Sequence, residues 1–568
     1  MKRFHIVVLS VAGVAALILA QAVLAQQTPK DLPTLVQAGA TKQALEMIRA
    51  GADVNQAQGE GSTPLLWAVN RVDYEVAEAL LAKKANPNAG NEFGVLPLTE
   101  AARLNEPRLV KMLLDAGAKV DSANPDGETA LMLAIKTGNQ AMVETLVAAG
   151  ASVNVVEKFH NQTPLIYASS AGKPDMVKLL LSKGADVKPR ALYTDWPSQV
   201  TSEPRTQYRS VGGLNSLMYA IRAGCYSCVE QLMAAGGDIN FPTLEGVTPL
   251  MLALDNEHNE VAKLLMDKGA YLDVWDWWGR TPLWIAVDRK PSPTAGAAPL
   301  GGGFGGGAGA AKGGAGAGKG AAKGGPGGGR GAAAADPNAP PPVSSMQIIN
   351  ALLAAGVDVN PEMNFHRPNA PARGRFGDNQ VSTSTTPLFR AVQLNDVEVI
   401  ETLLKKGANP NINSMGYTPF GLVAGAGPND RGGRGAAQMN TAVMDLLTQH
   451  GADVNAKISG TLSFSFHIGY GNANDGVNSK EGTTALHEAA RTGRQDLVRY
   501  LLDHGADPNL ADGEGLKPID VLGKQRGPAA ANGPATPAAG KGKGGPAGPS
   551  PAVLAEIRTT LQAAATKK

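Results

Sequence analysis

Residues 248–286 read TPLMLALDNEHNEVAKLLMDKGAYLDVWDWWGRTPLWIA, and this stretch decides the fold. It opens on Thr248-Pro249-Leu250 and meets the same triplet again at Thr281-Pro282-Leu283, with the second motif position 33 residues further on. Proline at the first helical position forfeits only an N–H that would have no partner there, and the preceding threonine can cap the helix. Leu250, Ala253 and Leu254 then recur at helical spacing. A second helix follows, carrying the apolar pair Leu264-Leu265, and Gly269 closes it. Such a two-helix unit cannot bury its own apolar face, so copies of it must stack.

Working outward, the triplet recurs at Thr63-Pro64-Leu65, Thr163-Pro164-Leu165 and Thr386-Pro387-Leu388. Degenerate copies stand at Leu96-Pro97-Leu98, Thr129-Ala130-Leu131, Asn215-Ser216-Leu217, Thr418-Pro419-Phe420, Thr484-Ala485-Leu486 and Lys517-Pro518-Ile519. The spacing is 33 from 64 to 97, 97 to 130, 216 to 249 and 485 to 518. A second signature trails each first by about twenty residues, as Gly51-Ala52-Asp53-Val54-Asn55, Gly184-Ala185-Asp186, Gly451-Ala452-Asp453-Val454-Asn455 and Gly505-Ala506-Asp507-Pro508-Asn509. Self-similarity at this period is the mark of a repeat array, and the chain's 568 residues are too many for one globule.

The paired signatures resemble the ankyrin repeat over most of the chain. The resemblance implies an all-α repeat solenoid with β-hairpin fingers, here interrupted by Gly/Ala/Pro-rich loops, and a role in binding other proteins. The expected organisation is a signal peptide at 1–25 and ankyrin repeats over 32–289. A disordered Gly/Ala-rich insert at 290–343 follows, then further repeats over 344–523, a disordered linker at 524–551 and a capping helix at 552–566. The unit from Leu32 to Asn55 lacks the triplet and reads as an N-terminal cap.

Lys2 and Arg3 precede an uncharged apolar run from Phe4 to Ala20, and Val23-Leu24-Ala25 suits a signal peptidase. Cleavage after Ala25 would place the product in the periplasm or outside the cell, with an uncleaved anchor as the alternative. Formal net charge is +2, and Lys2 and Arg3 carry both units. A near-neutral remainder argues against nucleic acid as partner.

Three intervals break the period: 164 to 216, 282 to 387 and 419 to 485. The tract around 301–335 looks like an interdomain linker but reads as a loop. Thr281 to Val287 is half a repeat, and Met346 to Ala355 with Gly356-Val357-Asp358-Val359-Asn360 supplies the other half. Ala552 to Ala564 likewise reads as the missing second helix of the last repeat. Gly313 to Lys319 fits a phosphate-loop pattern, yet Gly320 stands where a hydroxyl is needed for magnesium and no strand precedes it. In the first insert Lys290, Lys312, Lys319, Lys323 and Arg330 face only Asp336, and Lys524, Arg526, Lys541 and Lys543 lie in a second stretch without acid. These basic arms are solvated linkers, or make weak contact with an anionic surface.

Little else carries chemistry. Cys225 and Cys228 are the only cysteines, at the expected start of a second helix. There a thiol pKa is lowered, as in redox motifs, but Cys228 also occupies the apolar position held by Val143, Val177 and Val261. Packing or a local disulfide is the favoured reading, and an enzyme using this pair or an insert is the alternative. His487 stands at the resembled family's own histidine position, where its role is structural. No nucleophile, base and orienter set is present, and no metal or cofactor is expected.

The candidate site is aromatic. Trp275, Trp277, Trp278 and Arg280 fall where the resemblance places a finger tip, so they are expected to touch a protein partner. Packing against a neighbouring finger, or under the insert bearing Tyr193, Trp196 and Tyr208, is the competing reading. Trp67, Tyr167 and Tyr219 occupy a position expected in the core. Leu462, Phe464, Phe466, Ile468 and Tyr470 alternate as an amphipathic strand that could offer an edge to a partner.

Overall fold

The computed structural model describes residues 31–194, 211–291, 340–363, 384–414, 416–426, 440–459, 481–524 and 549–567. The stretch from Leu462 to Tyr470 expected as a strand, Trp196 and Tyr208, the glycine-rich tract, the N-terminal residues expected as a signal and most of the 524–551 stretch lie outside them. Two compact units emerge: Met1–Tyr193 with Gly212–Asp238, and Thr194–Val211 with Ile239–Lys568.

The first unit holds six helix pairs: α1 (Leu32–Ala38) and α2 (Thr41–Arg49), α3 (Pro64–Asn70) and α4 (Tyr74–Ala82), α5 (Pro97–Arg103) and α6 (Pro107–Asp115). Then come α7 (Ala130–Thr137) and α8 (Gln140–Ala148), α9 (Pro164–Ser170) and α10 (Pro174–Ser182). Strands β1 (Tyr193–Thr194) and β2 (Val211–Gly212) pair with each other before α11 (Ser216–Arg222) and α12 (Tyr226–Ala234). The second unit holds α13 (Pro249–Asp255) and α14 (Asn259–Asp267), α15 (Pro282–Arg289) and α16 (Ser345–Ala354), α17 (Pro387–Gln393) and α18 (Val397–Lys405). It continues with the short α19 (Pro419–Gly421) and α20 (Thr441–Gln449), α21 (Ala485–Thr492) and α22 (Gln495–Asp503), and ends on α23 (Pro551–Lys567).

The triplet does what its residues allow. Thr63, Thr129, Thr163, Thr248, Thr281 and Thr386 each accept, through the hydroxyl oxygen, the N–H three residues on. Second helices are capped by carboxylate or amide oxygens, as by Asp73, Asn139, Asp396 and Asn440. Their leucines, among them Leu80, Leu113, Leu265 and Leu501, are fully or almost fully buried against neighbouring helices.

The asparagine of the second signature locks successive repeats together. In the second unit the Asn411 amide donates to Gly451 O at 2.8 Å and its Oδ1 accepts from Asp453 N–H at 2.8 Å. Asn240 bridges in the same way to Gly269 and Tyr271, Asn360 to Gly407 and Asn409, and Asn455 to Gly505 and Asp507. Asn360 and Asn411 therefore reach the next repeat across insertions in the chain. The last link runs from the Asn509 amide to Ala565 O in α23, which seats Ile557 and Leu561 in the core.

Helix α16 packs on α15, although the chain leaves at Lys290 and returns near Val343. Both stems are tied to flanking repeats. Lys290 Nζ lies 2.7 Å from Asp396 Oδ2, Val343 N–H donates to Glu260 Oε1 at 2.9 Å, and Asn259 Nδ2 donates to Val343 O at 3.0 Å.

Two details differ from expectation. The fingers are not strand hairpins: among the described residues β1 and β2 are the only named strands, with isolated bridges such as Ala123 to Thr129. The fingers are turns, and several donate one backbone bond to the preceding finger, as from Lys158 N–H to Asp126 O at 2.9 Å, too few for a ladder. The first half of the last repeat, around Pro518, forms turns rather than a helix.

Candidate partner-binding surface

The finger from Tyr271 to Gly279 follows the reentry of the chain from α14. Exposure alternates along it. Tyr271, Asp273, Trp275 and Trp277 face solvent, whereas Asp276 and Trp278 are buried and Leu272 and Val274 are partly covered. Trp277 and Trp278 are the central residues of a turn closed by Gly279 N–H donating to Asp276 O at 2.9 Å, and the turn leaves Trp277 toward solvent while Trp278 is buried. Trp275 is 69% and Trp277 51% exposed, against 6% for Trp278.

The face is held rigidly from beneath. Asp276 Oδ1 accepts the N–H groups of Trp278 at 3.0 Å and Arg280 at 2.9 Å, and Oδ2 accepts Arg280 Nε at 2.7 Å. The same guanidinium reaches Asp255 at the end of α13, at 3.0 Å, and Arg289 pairs with that carboxylate too, at 3.1 Å. Arg280 also lies over the Trp278 ring, 5.2 Å from its centroid. Burial pushes the Asp276 carboxyl above the usual aspartate range, with Arg280 opposing, whereas Asp255 and Asp276 hold the Arg280 guanidinium charged despite its burial. The adjacent finger docks alongside. Trp277 N–H donates to Glu245 O at 2.8 Å, and Tyr271 N–H donates to Asn240 Oδ1 at 2.8 Å. Gly246, at φ +79, leaves room for this approach: a Cβ there would sit 3.2 Å from Asp276 Cα.

The expected site is therefore divided. Trp275 and Trp277 stand at the surface, but Trp278 and Arg280 do not: Arg280 is only 5% exposed and ties the finger to α13 instead of reaching outward. A finger whose guanidinium is flanked by two aspartates satisfies it internally, so no contact remains for a partner. Sequence reading also missed Tyr271, which is 60% exposed, together with Phe241 and Leu244 on the neighbouring finger. Asp276 and Gly279 flanking the last two tryptophans were the available signal, since such a turn sends Trp277 and Trp278 different ways.

The other singled-out residues are structural. Cys225 and Cys228 are joined in a disulfide, S–S 2.01 Å, and both are buried. Cys225 Sγ also accepts the Cys228 N–H at 3.3 Å, standing where other repeats place an Asp or Asn cap. Cys228 is as fully buried as Val143 and Val177. His487 is buried, bonded to Thr484 Oγ1 at 2.9 Å and to Leu516 O at 3.0 Å, and burial lowers its pKa. Trp67 and Tyr167 are half-buried, not core. Trp67 Nε1 donates to Gln58 Oε1 at 2.8 Å and the Tyr167 hydroxyl bonds Glu128 at 3.1 Å, so each fastens a finger through its polar tip. Tyr219 is buried with Ile166 and Ala191. Among the described residues no group of three or more His, Cys, Asp and Glu side chains is placed to hold a metal ion.

Comparison with known families matches ankyrin repeats, three copies at a time, to residues 34–124, 100–191 and 217–295, and single ankyrin repeats to 384–414 and 481–513. The chain belongs to the ankyrin-repeat family. Its relatives include alpha-latrocrustotoxin-Lt1a of Latrodectus tredecimguttatus, 32% identical over 141 residues, covering 25% of this chain and 8% of the toxin. Human palmitoyltransferase ZDHHC13 is 28% identical over 156 residues, covering 28% of this chain and 23% of the enzyme. The mouse B-cell lymphoma 3 protein homolog is 28% identical over 151 residues, 23% of this chain and 34% of the relative. The chain spans well under half the length of each relative, so these likenesses concern the repeats. Ankyrin repeats are in general non-catalytic modules that mediate protein–protein binding.

Proposed function

We propose that this ankyrin-repeat protein is a binding scaffold that works outside the cytoplasm and engages a protein partner through the solvent face of the Tyr271–Trp277 finger. The observation that carries the site is the outward pair Trp275 and Trp277 on a finger fixed by the buried Asp276–Arg280–Asp255 cluster. Rigid exposed aromatic side chains lose little conformational entropy on binding and dominate interface hot spots. Export rests on the basic, apolar and small-residue pattern of Lys2 to Ala25, with the periplasm or the exterior as destination. A catalytic reading through Cys225 and Cys228 finds no support, because both sulfurs are buried and bonded to each other.

Capture by the wild-type chain, compared with a Trp275→Ala/Trp277→Ala variant, tests the surface. Loss of well over tenfold in binding is expected, with the far-UV spectrum and unfolding midpoint retained, because both side chains project into solvent. Undiminished capture by the folded variant places the contact elsewhere.

A further inference from the structure

The charged cluster under the aromatic finger continues beyond α13. Arg289, at the end of α15, lies 3.1 Å from Asp255 and 3.8 Å from Asp288. Asp288 in turn accepts Arg390 Nε from α17 at 2.7 Å, and Arg390 Nη1 donates to Gln393 Oε1 at 3.0 Å. Asp276, Arg280, Asp255, Arg289, Asp288 and Arg390 thus form one line of alternating sign, running from the finger through α13 and α15 to α17. Asp288 and Arg390 are 102 residues apart in the chain, with the Gly/Ala-rich insert between them.

Each inner member of the line is shared between two partners, and Arg289 is shared least evenly. It bonds Asp255 and stands just beyond bonding reach of Asp288. Closing the longer contact to a charge-assisted bond takes about 1 Å of side-chain movement. The Arg289 side chain is 31% exposed, against 3% for Asp288, so water follows it as it moves and the desolvation cost of a shift is small. Coupling between separated sites needs an element with two arrangements that both ends bias. A guanidinium between two carboxylates is such an element. Asp288 competes with Asp255 for Arg289, and Arg390 sets how strongly it competes. Where Arg289 is drawn to Asp288, Asp255 leans on Arg280. Arg280 is then drawn from Asp276, whose Oδ1 accepts the Trp278 and Arg280 N–H groups of the finger.

Resting on the finger face assigned above, we infer that Arg289 is a switch coupling the order of that face to the repeat beyond the insert. With α17 docked, Arg390 satisfies Asp288, Arg289 stays with Asp255, and the finger is held. With α17 displaced, Arg289 turns to Asp288 and the finger loosens. The partner surface is therefore rigid only when the repeats have stacked on both sides of the insert. By linkage, a partner on the finger strengthens the docking of α17 by the same factor.

Hydrogen exchange of the full chain, read at the Trp278 and Arg280 amides, tests the switch without any partner. Arg390→Met should speed exchange there about fivefold or more beyond Leu403→Ala, which weakens the same repeat from its buried apolar side. In an Arg289→Met background the same Arg390→Met change should add less than about twofold. Asp288→Asn should act in the opposite sense: it ends the competition for Arg289, so the finger amides slow by about twofold while α17 loosens. A merely structural role moves both in one direction. Asp288→Asn also keeps the side-chain shape and carries the test should Arg390→Met not fold. Acceleration no greater than that of Leu403→Ala, equal acceleration with and without Arg289, or finger amides that speed up in Asp288→Asn each overturn the switch. The face and the switch fail separately. Unaltered exchange with capture still lost in Trp275→Ala/Trp277→Ala sinks the switch alone. Capture that survives that variant sinks the face, while the exchange rates still decide the coupling.

Discussion

Replacing Arg280 with methionine removes the one guanidinium that joins the aromatic finger to the helices behind it. The volume is roughly kept, so packing changes little, but Asp276 loses its 2.7 Å partner while 2% exposed. Asp255 retains Arg289 at 3.1 Å and stays compensated, so the cost falls on Asp276. Breaking a buried ion pair from one side costs about 3–5 kcal/mol, since an uncompensated charge is left inside. The two backbone N–H groups that still reach Asp276 Oδ1 favour the lower part of that range. Sign follows from the burial that already pushes this carboxyl upward. A carboxyl whose folded pKa exceeds its unfolded value is best tolerated below the unfolded value, and its contribution is lost as pH rises through the folded one. The variant's deficit should therefore be large at neutral pH and shrink toward about pH 4. Urea unfolding followed by tryptophan emission suits the measurement, because Trp275, Trp277, Trp278 and Trp284 all report from this repeat. A double variant with Asp276→Asn should recover part of the loss. A deficit below about 1 kcal/mol with no pH dependence would refute the assignment of the pair as the finger's anchor.

Three further outcomes follow from the stack. Asn411→Ala should destabilise the second unit by about 1–3 kcal/mol through two lost inter-repeat bonds, and hydrogen exchange at Asp453 should accelerate; unchanged protection there argues against the link. Deleting Thr294 to Ala335 should leave the unfolding midpoint within a few degrees, since Lys290 and Val343 are anchored by Asp396 and by Asn259 with Glu260; a large drop in helical signal would show the tract to be structural. Thiol titration of the unfolded, unreduced protein should find no free thiol, and reduction should cost no more than about 2 kcal/mol for so short a loop; two reactive thiols would contradict the bond.

The repeat architecture was legible because its determinants are local. Thr-Pro at a helix start, an apolar stripe at helical spacing and a glycine at the exit each act within a few residues, and periodicity multiplied the signal. The half-repeat logic at Thr281 and Met346 was likewise readable, since an unpaired apolar helix demands a partner. Less visible was the tip at Pro518, where the triplet persists but the chain forms only turns. The candidate surface was half legible: composition located three tryptophans and an arginine, but not which side of the backbone each would take.

By itself, then, the sequence determined the number and kind of building blocks, because helix formation and capping depend on neighbours along the chain. The tertiary structure alone decided which residues of the Tyr271–Arg280 finger meet solvent. That choice depends on Asp255 and Glu245, which belong to the preceding repeat and reach the finger only once the repeats stack. Arg280 illustrates the reason: a guanidinium is a surface contact until two carboxylates lie within hydrogen-bonding distance, and one of those comes from a helix 25 residues away.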